Sequence, residues 1–198
     1  MRKYLFFILV FFLSCKKEKQ EAQTIYPLPY LPVYPGSKWI YLNEVGDTVI
    51  QSTAPEYQLH QYNSYSIGGY MTDYVYVPFW NDKPVYGYST PIDNMSAAFI
   101  HNGLTQIGYL SEKKGEQWTT YWSQYGSSFR VVENIDTSLT VNSINYYNVI
   151  KVCDYGHYPA GPGPQILASV SYYAKNIGLI KEDYGNKHID LISYYINH

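Results

Sequence analysis

From Lys38 onward the chain is a succession of short β-forming runs, each closed by a turn signal, and this punctuation restricts the fold more than any other feature. Trp39–Val45 meets Gly46-Asp47 and continues as Thr48–Gln51, the pattern of a hairpin. Tyr57–Tyr62 and Tyr65–Ile67 precede Gly68-Gly69, after which Tyr70–Val77 alternates with a period of two. Asn81–Pro84 turns the chain into Val85–Tyr88. Ala97–His101 and Leu104–Leu110 flank Asn102-Gly103, the pair that best tolerates the positive φ of a two-residue hairpin turn. Gln117–Trp122, Ser128–Glu133, Asn145–Cys153, Ile166–Ala174 and Ile189–Ile196 complete the series. No amphipathic helix, fixed-period repeat or second-domain boundary interrupts it. The expectation is an all-β, single antiparallel domain of many short strands over residues 34–198. It would be either a barrel or a strongly curved sheet or sandwich, with no helix beyond about two turns. Trp39, Tyr41, Val75, Ile107, Trp118, Val149, Val170 and Leu191 are its expected core.

Tyrosine dominates the aromatics. The chain has 25 Tyr, 4 Trp and 7 Phe, and only Phe79, Phe99 and Phe129 lie beyond the first dozen residues. A tyrosine ring is apolar and its hydroxyl requires water or a partner, so these side chains suit half-wet sheet faces and rims. A thin β protein using Tyr as its strand former accounts for this. A stacking surface for a ligand such as a glycan accounts for it as well. Asp154–Gln165 is the longest Gly- and Pro-rich interruption between strands near the end of the chain, and it reads as a loop. It offers Tyr155, His157 and Tyr158 on a backbone stiffened by Pro159, Pro162 and Pro164. These three are the candidate ligand-binding residues, since long loops carry function more often than scaffolds do. A flap whose tyrosines seal the end of the sheet is the alternative.

The first residues are of another kind. Arg2 and Lys3 precede the apolar run Leu5–Leu13, the layout of a secretory signal and too short to span a bilayer. Leu13-Ser14-Cys15 resembles the lipobox of bacterial lipoproteins, in which the cysteine thiol takes a diacylglyceryl group and cleavage falls just before it. Phe12 stands where many lipoboxes have leucine. The resemblance implies a signal peptide over 1–14 and lipid attachment at Cys15. It implies a cell-envelope location, the outer membrane, with the periplasmic or surface face left open. Several acyl chains at about 0.8 kcal/mol per buried CH₂ hold a protein durably where one does so only marginally. Residues 15–33 read as a tether. Lys16–Thr24 is charged and lacks periodicity, and Tyr26–Pro35, with too much proline for a helix or central strand, should be extended and semi-rigid, laid along the domain.

Two further stretches carry a resemblance. Tyr34-Pro35-Gly36-Ser37-Lys38-Trp39-Ile40-Tyr41 resembles the opening of a broad group of uncharacterised secreted bacterial β lipoproteins, with the Pro-to-Gly spacing compressed. Tyr172–Lys181, with Leu191–Tyr194, resembles the closing hairpin of that group. The resemblance implies an all-β fold behind a lipid anchor and implies no activity.

Charge and motifs narrow the function classes. The chain has 14 basic and 16 acidic residues, and the signal removes two of the basic ones, so nothing favours nucleic acid as a partner. Only Cys15 and Cys153 are cysteines; with Cys15 lipidated no intramolecular disulfide forms, and Cys153 in an apolar run reads as a buried, inert thiol. Asp154-x-x-His157 is a tight pair of metal-ligand types at the start of a loop, and no metal site is assigned to it. No nucleophile elbow, phosphate loop or cofactor motif appears, and no catalytic residue or cofactor is assigned. Glu112, Glu116, Glu133, Asp136, Asp154, Glu182 and Asp183 could supply a carboxylate pair only if the fold brought two of them together. The preferred reading is a membrane-anchored envelope lipoprotein whose β domain is a non-enzymatic module binding a ligand or partner. A glycan, a lipid or an envelope protein would be that partner. An accessory glycan-binding lipoprotein and a hydrolase with a dispersed carboxylate site stay open beside it.

Overall fold

The structure, a computed structural model, describes residues 29–56, 58–64, 69–76, 78–81, 83–84, 88–91, 96–101, 104–109, 113–123, 126–157 and 166–198. The side chains described are those of 29–56, 81, 113–117, 129–156 and 166–198. Every regular element among these residues is a strand. In chain order they are β1 (Lys38–Asn43), β2 (Thr48–Thr53), β3 (Gln58–Ser64), β4 (Gly69–Tyr76), β5 (Pro78–Trp80), β6 (Lys83–Pro84), β7 (Tyr88–Pro91) and β8 (Ser96–His101). There follow β9 (Leu104–Tyr109), β10 (Gln117–Ser123), β11 (Gly126–Val141), β12 (Ile144–His157), β13 (Ile166–Ala174), β14 (Gly178–Tyr184) and β15 (Lys187–Tyr195).

Seven strands form the antiparallel body of the protein, in the order β11-β12-β13-β14-β15-β1-β2. β10 extends it at one end and β5–β6 at the other, and these ends do not pair with each other, so the sheet is open rather than a closed barrel. β3, β4, β7, β8 and β9 pair among themselves, also antiparallel.

The turns follow from their residues. Between β1 and β2 the Asn43 side chain accepts from the amides of Val45 (3.1 Å) and Asp47 (2.7 Å), while Gly46 takes φ 88°. The longest pair, β11 and β12, is joined by Asn142-Ser143 with φ 47° and 67°, the left-handed pair a two-residue hairpin turn requires. Asp136 and Asn148, at φ 51° and 52°, accompany three register slips in this hairpin. Bulges of this kind bend a strand and sharpen its twist. The distal half of the hairpin therefore folds onto β15 and β1. Asn142 Nδ2 donates to the Leu191 carbonyl at 3.0 Å, and Val141 and Tyr146 join Trp39, Tyr41, Ile180, Ile189 and Leu191 in the main core. The sheet is thus strongly curved around its own apolar residues. Trp39 Nε1 donates to Ile177 O (2.6 Å) and Tyr41 OH to Leu179 O (3.2 Å), so the two large rings of β1 are fixed by the start of β14 and the turn before it.

Trp39, Tyr41, Val149 and Leu191 are buried as expected. Val170 is only half-buried, because it stands opposite Cys153 and Asp183 on the outer side of the sheet. Val75, Ile107 and Trp118 lie on β4, β9 and β10, with side chains outside the described residues.

The end of the proline-rich stretch packs along the domain: Tyr30 and Val33 are buried, Tyr30 in one cluster with Val132, Ile150 and Val152. The backbone carbonyl of Pro29 accepts from the Asn176 amide, and proline rings with buried aromatic neighbours make a strap across the sheet. The Gly/Pro loop begins later than Asp154, because β12 runs through His157 in register with Ser127–Arg130 of β11. Tight pairing on both sides outweighs the local loop signal there.

Candidate functional site

Residues directly opposite one another in a sheet share a face, and the register identifies two polar groups on opposite faces. The inner face carries the row Val132, Val152, Ser171, Glu182, Ile189, each opposite the next across five strands. Four of these residues are buried, so Glu182 is a carboxylate set into an apolar row. Ser171 Oγ donates to Glu182 Oε1 at 3.2 Å. One step along, Arg130 lies opposite Asp154, and Arg130 Nε donates to Asp154 Oδ2 at 3.0 Å. Burial pushes the Glu182 carboxyl above its ordinary value, and the nearby Arg130 charge and the Ser171 hydroxyl only partly offset this. Burial works against the Arg130 charge too, yet Tyr173 and Asp154 outweigh it and hold the guanidinium more firmly protonated than usual. Among the described residues Asp154 Oδ1 is buried and finds no hydrogen-bond partner. The group thus sets one cation against two carboxylates and leaves one acceptor open. Its chemistry suits holding a donor or a shared proton.

The outer face carries a second group. Phe129, Val131, Cys153 and Tyr155 stand on it in register, and Glu133 reaches the same side. Lys151 Nζ bonds Glu133 Oε2 at 2.6 Å, and Tyr155 OH donates to Glu133 Oε1 at 3.0 Å. The Lys151 bond is the main reason the Glu133 carboxyl lies below its usual value. The Tyr155 ring stacks on Phe129, with centroids 5.5 Å apart and planes inclined by 21°. Burial, with the Glu133 charge nearby, pushes the Cys153 thiol up to about 11. That shift disfavours the reactive thiolate at neutral pH. Further across this face Lys181 Nζ bonds both Asp183 Oδ1 (3.0 Å) and Asp190 Oδ1 (2.9 Å).

Of the residues expected from sequence to bind a ligand, Tyr155 is on β12, half-buried, and engaged with Glu133 and Phe129. His157 closes the same strand, with its side chain outside the described residues, and Tyr158 and Cys15 lie outside them altogether. Among the described residues no three His, Cys, Asp or Glu side chains are grouped so as to hold a metal ion. The role of Arg130 and Ser171 is not visible in the linear sequence. Glu182 had a signal, since Ile180-x-Glu182 alternates onto the buried face of β14.

No protein-family description matches the sequence, and neither does any curated protein. Two solved structures resemble the chain. One is a protein of Parabacteroides distasonis ATCC 8503 provisionally described as a lipoprotein: 11% identity, TM-score 0.41, covering 86% of this chain and 100% of that one. The other is a Bacteroides fragilis NCTC 9343 protein, provisionally described as exported and with a YmcC-like fold: 12% identity, TM-score 0.34, covering 86% of this chain and 98% of that one. At TM-scores below 0.5 neither likeness bears on what this protein does.

Proposed function

We propose that the protein is a lipid-anchored lipoprotein of the cell envelope, at the outer membrane, whose β domain binds a ligand or partner without transforming it. The anchor rests on the charged start, the apolar run Leu5–Leu13 and Leu13-Ser14-Cys15 in register. One structural observation carries the binding role: the outer-face patch of Phe129, Tyr155, Glu133 and Lys151 is half-exposed yet already fixed by its own stack and hydrogen bonds. A patch ordered before contact loses little side-chain entropy on binding, and paired donors and acceptors beside an aromatic ring suit a polar, uncharged ligand. Tyr155, His157 and Tyr158 are then the proposed contact residues, approached along β12. A dispersed hydrolase is the second reading, favoured by Asp154 and Glu182 sharing the inner face beside Arg130.

The test is mass spectrometry of protein purified from its own envelope, with and without Tyr155→Ala. Diacylglyceryl mass on Cys15 and a retained ligand lost in Tyr155→Ala support the reading. A mature protein with unmodified Cys15 refutes the anchor. A ligand retained equally by the variant refutes the patch, and turnover lost in Glu182→Gln selects the hydrolase.

A further inference from the structure

The end of the sheet that receives the N-terminal strap is rimmed with exposed tyrosine. Tyr194 and Tyr195 close β15 at 46% and 61% exposure. Tyr194 lies opposite Trp39 and Tyr195 opposite Lys38, so the two rings project from the two faces at one strand end. The strap arrives at the same place. Asn197 Nδ2 donates to Pro35 O at 2.7 Å, its amide donates to Ser37 Oγ at 3.1 Å, and the Tyr34 and His198 rings meet edge to face at 5.0 Å. The turn after β13 is there too, since Asn176 bonds Pro29 and the position of Gly178 faces Pro32 and Trp39.

We propose that this end of the sheet rests on the phospholipid surface, with Tyr194 and Tyr195 seated among the headgroups. The proposal rests on lipid attachment at Cys15. Fourteen peptide units separate Cys15 from Pro29, and even fully extended they reach no more than about 50 Å. The strap end is thus the part of the described domain joined most directly to a lipid at Cys15, within about 50 Å of it. Tyrosine suits the water–lipid boundary because its ring is apolar and its hydroxyl stays wet. The Tyr195 hydroxyl donates to Asn197 Oδ1 at 3.2 Å, and both rings remain substantially open to solvent. Charge is not the attraction: Lys38 and Lys175 are exposed around this end and Glu56 lies two residues past Ala54, which is bonded to Gly36, leaving little net charge. Contact through the rings is then insensitive to salt. The opposite end of the sheet supplies an internal reference. Tyr184 is 38% exposed beside the turn that begins β15, and eight residues of strand, about 26 Å, separate that end from Tyr195.

The test compares two forms of the full mature chain. One is the lipidated protein in phosphatidylethanolamine/phosphatidylglycerol vesicles. The other is Cys15→Ser exported with an ordinary signal peptide, in buffer. Both are iodinated by lactoperoxidase, an enzyme too large to enter a bilayer contact, and each tyrosine is read by mass spectrometry. The expected result is a several-fold fall in the labelling of Tyr194 and Tyr195 relative to Tyr184 on vesicles, unchanged between low and high salt. Equal ratios on a protein whose Cys15 lipid is confirmed by mass overturn the proposal and leave the anchor standing. Protection that vanishes in high salt overturns it in favour of charge. Absence of lipid on Cys15 removes the anchor and the proposal with it.

Discussion

Truncating Tyr30 separates a packed strap from a passive tether. Tyr30 is 4% exposed and touches Val132, Ile150 and Val152, all buried on the central strands β11 and β12. A buried tyrosine ring removes roughly 150 Å² from water, and at about 25 cal/mol per Å² its loss in Tyr30→Ala costs about 4 kcal/mol. Aromatic-to-alanine changes in cores cost about 3–5 kcal/mol, in line with this. In a domain of this size each kcal/mol shifts the thermal midpoint by about 2–4 °C, so the expected drop is on the order of 8–16 °C. The measurement is thermal and urea unfolding of the Cys15→Ser form, followed by circular dichroism. Surface changes stay within about 0.5 kcal/mol. A Tyr30→Ala loss that small would show that the strap is detached in solution and that the domain begins later.

Three further outcomes are expected. Glu182 has its carboxyl raised by burial, so its contribution to stability is fully present below the ordinary carboxyl value of 4.5 and is lost as pH rises through the folded value. Glu182→Gln should therefore gain in thermal midpoint over wild type at pH 7 and not at pH 4; a variant that loses ground on going from pH 4 to pH 7 contradicts the burial. Gly178 has φ 96° and its missing Cβ would meet Pro32 at 3.4 Å and Trp39 at 3.5 Å, so Gly178→Ala should cost about 1–3 kcal/mol in urea unfolding, and a neutral result would mean that the strap does not lie there. With its thiol pushed up to about 11, Cys153 should resist a thiol-specific reagent at pH 8 in the native protein and react on unfolding. Fast native labelling would place Cys153 at the surface.

Local signals in the sequence were reliable where one turn fixed one hairpin. Asn43 to Asp47 and Asn176 to Gly178 carry polar or glycine residues at the positions where the chain turns back, and the strands on either side form as read. The β11–β12 hairpin was hidden beyond Glu133 because Asp136, Thr137, Ser138 and Thr140 leave few apolar residues to mark its inward face, and because it turns on Asn142-Ser143 rather than Asn-Gly. Tyr30 was hidden for the opposite reason. A proline-rich run looks the same whether it is solvated or laid in a groove, and only the buried partners on β11 and β12 decide. Single members of the polar groups were visible, but their grouping was not. Arg130 and Glu182 come together through three successive strand pairings, and no spacing in the chain encodes that distance. The charge ladder on the outer face is likewise a product of register.

The strap also sets where mechanical load enters the molecule. Any tension applied from the N-terminal side passes Pro29 and the buried Tyr30 and Val33, then reaches β1, which is hydrogen-bonded along its length to β15 on one side and β2 on the other. Thr53 Oγ1 accepts from the Ser37 amide and donates to the Tyr34 carbonyl, and Asn197 holds Pro35 and Ser37, so both neighbouring strands share the pull at the entry point. Strands drawn lengthwise resist in shear, with many bonds loaded together rather than peeled one at a time. β12 and β11 lie four and five strands away from β1 in the sheet, yet Tyr30 packs on both, so part of the load reaches them through that ring. The surface around Tyr155 is therefore coupled to the N-terminal attachment, since the partners of Tyr30 stand on the same two strands as Glu133, Lys151 and Tyr155.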